Sequence, residues 1–426
     1  MIPPSDPPTG SPEPGRLRAE VDRLLDGARA ATLPGGGFGW LGADGRPDPT
    51  RPVQLWITTR MTHRFALGSL LGRPGDAAFA DHGLAALDGV LADAEHGGWF
   101  TALAPTPPGG AADGTAAGAP AGTKEAYGHA FVLLAASSAT IAGRPGAADL
   151  LARAVAVVEE HFWDDDAGAM VEEWDRTWTT LEEYRGANAN MHSVEAFLAA
   201  AGATGDDVWL DRALRVCARI VDRGARAHDW RVPEHFGPDW TELPEYNADA
   251  PAHPFRPYGV TPGHGLEWAR LVLTLARALE AAGRPAPGWL REAAAGLFDR
   301  AVTDGWDVER GGFPYTTDWQ GVAVVPERFH WVTCEAMAAA WALHADTGDQ
   351  HYADHWARFW AYAQRTFLDG RPGWLHEADA QGRPTSVTWT GRPDVYHAVQ
   401  ACLLPLLPPA PSFAQACVEA GPPAAG

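Results

Sequence analysis

Cysteine is scarce. Cys217, Cys334, Cys402 and Cys417 are the only four, far apart and without a CxxC pair, so neither a zinc knuckle nor a disulfide framework is indicated. No apolar run approaches the ~20 residues that span a bilayer. The first residues, Met1 to Gly15, are rich in Pro and Gly and lack the basic and apolar stretches of a secretory leader. These absences lead to the expectation of a cytoplasmic protein. Positive charge is also short: 33 Lys and Arg against 54 Asp and Glu leave a net charge of −21. Such a chain repels phosphate backbones and anionic lipid, so neither a nucleic-acid nor a membrane partner is expected. Other enzyme classes lack their motifs here. There is no GxGxxG after a strand, no P-loop, no HExxH and no GxSxG elbow. No His/Asp/Glu cluster has convincing ligand spacing, so no metal and no cofactor is expected.

Apolar residues and tryptophan are plentiful. Hydrophobic residues make up 46% of the chain, enough to bury a sizeable core and to exclude wholesale disorder. The 19 Trp exceed ordinary usage, and flat amphipathic rings are what sugar-binding clefts set against C–H faces.

Apolar residues recur at helical spacing in about twelve segments that pair as hairpins. They predict helices near 15–31, 52–72, 75–94, 124–142, 145–163, 186–202, 206–224, 262–283, 287–303, 327–346, 349–367 and 392–407. Gly-Arg-Pro turns at 72–74, 143–145 and 283–285 join members of a pair. Loops mixing acidic residues and Gly with an aromatic, as in Glu95–Phe100, Trp163–Gly168, Trp306–Phe313 and Leu368–Trp374, read as short β-hairpins. Six hairpins closed on themselves make an all-α (α/α)6 barrel over 15–407, with tails at 1–14 and 408–426. The inner ring would be the helices starting near 52, 124, 186, 262, 327 and 392. An open α-solenoid is the alternative, but the terminal repeats carry no evident polar cap.

Unusual polar residues gather near the starts of those inner helices, which in a ring open on one end. They are Trp56, Arg60 and His63; Lys124 and Tyr127; Tyr184, Asn188, Asn190 and His192; His264 and Glu267; Trp331 and Glu335; and Asp394, Tyr396 and His397. Thr261 is a favourable N-cap and Pro262 a favourable first residue, placing His264 in a first turn with Glu267 on the same face. His397 follows Pro393 and Asp394 into another helix start. Asn188 and His192 share a face, while Asn190 points elsewhere. Arg60 lies one turn beyond Trp56, and Glu335 one turn beyond Trp331. Glycosidases on such rings need two carboxylates across a bond, and here Glu267 and Glu335 are the only candidate pair. Each of these residues also has a bland reading as a core aromatic, a rim ion pair or a partnered buried histidine.

Taken together, Tyr184–His192, Thr261–Trp268, Trp331–Glu335 and Pro393–His397 resemble the N-acylglucosamine 2-epimerase superfamily. Leu55–His63 is similar to its mannose isomerase and sulfoquinovose isomerase branch. The resemblance covers about 50–405. It implies an (α/α)6 barrel and metal-independent isomerisation or epimerisation of a small-molecule monosaccharide. It further implies that His264 and His397 are the acid/base pair and that Arg60, Asn188, His192 and Glu267 are cleft residues. Trp56, Tyr127, Trp331 and Trp389 would be substrate-facing aromatics. The resulting expectation is an aldose–ketose isomerase acting through a cis-enediol. His397 would move the C2 proton, His264 (held by Glu267) would open the ring, and Arg60 with His192 would stabilise the enediolate; Glu335 is taken as a substrate contact. A 2-epimerase, a glycoside hydrolase and a non-catalytic sugar-binding protein stand as alternatives.

Overall fold

The computed structural model describes residues 13–105 and 122–421. Among these residues the helices are α1 (Pro14–Ala28), α2 (Leu55–Leu70), α3 (Asp76–Asp88), α4 (Ala126–Ile141), α5 (Ala147–Val157), α6 (Ala187–Thr204) and α7 (Val208–Cys217). They continue as α8 (Pro262–Ala281), α9 (Trp289–Gly305), α10 (His330–Thr347), α11 (Gln350–Thr366), α12 (Tyr396–Leu403) and α13 (Phe413–Ala420). The even-numbered helices α2 to α12 touch in sequence, and α12 returns to α2, so six helices close a ring. Each leans on an outer helix: α3, α5, α7, α9 and α11 back their predecessors, and α1 backs α12. The predicted (α/α)6 toroid is the architecture found, and the open solenoid is excluded by the α12–α2 contact.

Burial follows position in the rings. Every residue of α2 from Leu55 to Gly68 is buried, because an inner helix has neighbours on all sides. Outer helices bury one stripe. In α7 this is Trp209, Leu210, Ala213, Val216 and Cys217.

None of the six inner helices has a side-chain N-cap. Thr261 does stand at the cap position of α8, yet its hydroxyl makes no capping bond. Main-chain pairing sets the helix starts instead. Leu55 N–H donates to Thr101 O at 3.0 Å, Ala126 to Glu172 at 2.8 Å, Ala187 to Glu234 at 2.9 Å and His330 to His376 at 3.1 Å. Val260 and Thr317 exchange both bonds at 2.8 Å, and Arg392 N–H reaches Leu41 O at 2.7 Å. Two- and three-residue antiparallel strands flank four of these bonds: Val53–Gln54 with Ala102–Leu103, Thr123–Glu125 with Glu173–Asp175, Arg185–Gly186 with His235–Phe236, and Arg328–Phe329 with Glu377–Ala378. In every case the strand before an inner helix pairs with the segment after the next outer helix. The helix starts are thereby held in register at one end of the ring.

Two boundaries differ from expectation. The last inner helix begins at Tyr396, not near 392, since Pro393 and Asp394 still belong to the entering loop. Within 408–426, expected as a tail, α13 packs against α2, α4 and α6 across the far end of the ring. The tail expected at 1–14 lies almost wholly outside the described residues.

Closure by α1 has a measurable consequence. Leu24 is fully buried in the α1–α12 seam, so Leu24→Ala should destabilise the protein by about 2–5 kcal/mol. Denaturant unfolding checks this, and an unchanged midpoint would show that α1 is dispensable to the ring.

Candidate active site

The first turns of the inner helices surround a cavity of about 660 Å³. Ten of the eleven residues given a site role from the sequence line it: Trp56 and Arg60, Tyr127, Asn188 and His192, His264 and Glu267, Trp331, Trp389, and His397. Glu335 does not. It is fully buried beneath His397, which makes it a support for that residue and not a substrate contact.

Two imidazoles are fixed in the same manner. His264 Nδ1 lies 2.9–3.0 Å from both oxygens of Glu234, and His397 Nδ1 lies 2.7 Å from Glu335 Oε1. A carboxylate on Nδ1 orients the ring and keeps Nδ1 protonated, so Nε2 is the nitrogen with a free lone pair. The expected pairing of His264 with Glu267 is therefore wrong. Both sit on α8, but Glu234 arrives from the segment after α7, whereas Glu267 turns to Arg270, 3.3 Å away, and His192, 3.8 Å away. Trp331 stands beside both imidazoles, its ring 5.4 Å from His264 and 5.8 Å from His397. Gly263 makes room for it, because a Cβ there would come within 2.5 Å of the indole.

Arg60 spans the cavity wall. Its guanidinium donates to Asp394 at 3.2 Å and to the Tyr127 hydroxyl at 2.6 Å, and lies 5.1 Å from the Trp56 ring, as their spacing predicted. Burial opposes its charge, but Tyr127, Asp394 and Tyr396 outweigh that and raise its pKa. Burial pushes Tyr127 up to about 12, keeping it protonated. The histidines go the other way. Burial first, and then the Arg60 charge, drive both His397 and His192 well below 6.5. Both are thus neutral bases near neutral pH.

Beneath this floor, Arg270 gathers three carboxylates, with Glu335 at 3.2 Å, Glu267 at 3.3 Å and Glu195 at 3.8 Å. Burial pushes Glu267 well above the usual carboxylate range, reinforced by Glu335 and opposed by Arg270. Ligand atoms of His192, Glu195 and Glu267 lie within 4.8 Å of one another, as do those of Glu267, Glu335 and His397. The two sets share Glu267, and the cation among these carboxylates is the Arg270 guanidinium.

The profile of the family N-acylglucosamine 2-epimerase (GlcNAc 2-epimerase) matches residues 36–401. The chain belongs to this family. It is 52% identical over 409 residues to a D-mannose isomerase of Thermobifida fusca, covering 95% of this chain and 97% of that one. It is 49% identical over 402 residues to a D-mannose isomerase of Pseudomonas cannabina pv. alisalensis, with 94% of each chain covered. A crystal structure of a D-mannose isomerase superposes with a TM-score of 0.84 at 29% identity, over 94% of this chain and 99% of that chain.

Within this N-acylglucosamine 2-epimerase family member, sequence reasoning missed Glu234, His376, Tyr315 and Phe255. The first three enter from the segments that return after α7, α11 and α9, at equivalent points of the repeat. The signal was present. Each closely follows an apolar or aromatic loop end (Val232-Pro233-Glu234, Trp374-Leu375-His376, Phe313-Pro314-Tyr315), but it becomes legible only once the pairing of return segments is known. His376 lines the cavity, donates its Nε2–H to Asp394 O at 3.3 Å, and is held by burial at about 3. Among the unassigned histidines, His63 bonds Ser138 at 2.7 Å and His129 bonds Glu125 O at 2.7 Å, both away from this cavity. Lys124 is tied to Asp93 at 3.1 Å, and Asn190 is spent on the backbone of Met170 and Gly186.

The Arg60 charge depresses both His192 and His397, so its removal must raise them. Arg60→Met should therefore move the titration of the His397 imidazole, followed by 15N NMR, to higher pH. An unmoved titration would show that burial alone sets it.

Proposed function

We propose that the chain is an aldose–ketose isomerase that interconverts mannose and fructose through a cis-enediol, without a metal. The observation that carries this reading is the pair of cavity imidazoles, His264 and His397, each held through Nδ1 by a buried carboxylate, with Nε2 left as a base. The similarity to D-mannose isomerases over nearly the whole chain supports it.

The chemistry needs a ring opened, one proton moved between carbons and another between oxygens. His264 Nε2 takes the O1 proton and passes it to the ring oxygen as C1=O1 forms and the C1–O5 bond breaks, and is left neutral. His397, neutral because burial and Arg60 disfavour its charge, then takes the proton from C2. The electrons of that C–H bond flow to O1, giving an enediolate. Arg60 and His192 lie where they can donate to its oxygens. His264 relays the O2 proton to O1, and His397 returns its proton to C1, leaving a ketone at C2. No electron leaves the sugar. Acid–base help of this kind is worth about 10²–10⁴-fold per group. Trp56, Trp331 and Trp389 offer flat faces to the C–H side of a pyranose, and Asn188 offers an amide to its hydroxyls.

Arg270 supports the reading of metal independence. A divalent ion among Glu195, Glu267 and Glu335 would have to displace a guanidinium already bonded to two of them. Turnover should survive exhaustive chelation, and a loss restored by a divalent ion would contradict this reading.

The deciding experiment is incubation with a panel of aldoses in deuterated water, followed by NMR of the products. Mannose should give fructose, with deuterium entering C1. A C2 epimer without ketose would make the enzyme a 2-epimerase, and reducing ends released from an oligosaccharide would make it a hydrolase. His397→Asn should abolish both ketose formation and deuterium uptake. His264→Asn should be slow in a way that eases for substrates with a larger open-chain fraction.

A further inference from the structure

Five of the six inner helices, with Leu404 just beyond the sixth, also line a second cavity, of about 760 Å³, further along the ring axis. Its lining comes from later positions, His63 on α2, Ser138 on α4, Glu195 on α6, Arg270 on α8, Ala345 on α10 and Leu404 beyond α12. The segment from Leu407 to Phe413 and helix α13 close it. The two cavities lie end to end on one axis, and the partition between them is Arg270 with its carboxylates.

Most of the lining is apolar, yet two buried polar atoms in it lack a hydrogen bond. Among the described residues, His63 Nε2 and Glu195 Oε1 find no hydrogen-bond partner, with their residues 1% and 6% exposed. Their other polar atoms are engaged: His63 Nδ1 meets the Ser138 hydroxyl at 2.7 Å, and Glu195 Oε2 accepts from Tyr396. His63 Nε2 has no partner and Glu195 Oε1 has only the Arg270 guanidinium, 3.8 Å away. Leaving such atoms without a hydrogen bond in an apolar wall is costly, so the pair marks a place for the polar end of a ligand.

We propose that this axial cavity binds a short aliphatic alcohol, or a larger molecule ending in one. The apolar chain lies along Leu134, Leu198 and Phe413. The hydroxyl accepts from His63 Nε2–H, the tautomer set when Ser138 donates to Nδ1, and donates to Glu195 Oε1. Charge selects a neutral head. Arg64 and Arg270 disfavour an ammonium, and Glu195 disfavours a carboxylate. Burial, with Arg64 nearby, holds His63 neutral in support of this pairing. Occupancy is felt in the first cavity, because Glu195 faces Arg270 at 3.8 Å and Arg270 holds Glu335, the partner of His397. The site stands on its own, independent of which sugar the first cavity takes.

The test is calorimetric titration of the full chain with 1-hexanol and with 1-methoxypentane, which matches it in heavy atoms but cannot donate a hydrogen bond. Saturable binding of hexanol is expected, about tenfold tighter than the ether. Ala345→Phe, at an exposed rim position, should abolish it, with Thr274→Phe as a second block. Hexanol should also shift the 15N imidazole resonances of His397. No saturable heat, equal binding of the ether, or binding indifferent to both blocking variants would overturn the site. Binding that leaves His397 unmoved would overturn the coupling.

Discussion

Wherever an α-helix begins, its first N–H groups lack helical partners, and something outside the helix must hold them. In this chain four inner helices take a partner for their first N–H from the main chain of a returning loop, at Thr101, Glu172, Glu234 and His376, while Thr317 and Leu41 pair with Val260 and Arg392 in the segments that lead into the other two. Five of the six bonds join segments separated by a whole helical hairpin, and the Arg392–Leu41 bond joins the two ends of the ring. Together they align six helix starts at one end of the ring. The side chains beside them (Arg60, Asn188, His264, Trp331 and His397) then converge without needing to be near one another in sequence. These carbonyl acceptors matter twice, since Glu234 and His376 use their main chains to set a helix start and their side chains to build the cavity.

Buried charge is the second constraint. Arg60, Arg64 and Arg270 stand against Glu195, Glu267, Glu335 and Asp394, all at most 8% exposed. Desolvating so many ions is expensive unless each is hydrogen-bonded. Arg270 makes the arrangement tolerable by touching three carboxylates, and Glu335 in turn fixes the tautomer of His397. The base is thus tuned from both sides, by a carboxylate beneath it and by the Arg60 charge beside it. A change anywhere in this network moves groups several side chains away, so structural and catalytic contributions of its members are coupled.

Much was legible in the sequence. Helical periodicity and Gly-Arg-Pro turns located the twelve helices of the rings, because an apolar stripe and a breaker are local properties. Taking every second helix of the pairs gave the inner ring, and odd polar residues at successive inner-helix starts marked one end of it. Nine of the ten cavity residues could be chosen on that ground, and Trp389 came from the family resemblance. What the sequence could not supply was the partner of each. Glu267 looked like the carboxylate for His264 because it lies one turn away on the same helix. The true partner, Glu234, is thirty residues distant and reaches His264 only through the pairing that starts α6. Glu335 looked like a cleft residue by its spacing from Trp331, yet ring packing turns it under His397. Local spacing determines which residues share a helix face. Which faces meet, and which carboxylate ends beside which imidazole, is decided by closure of the ring.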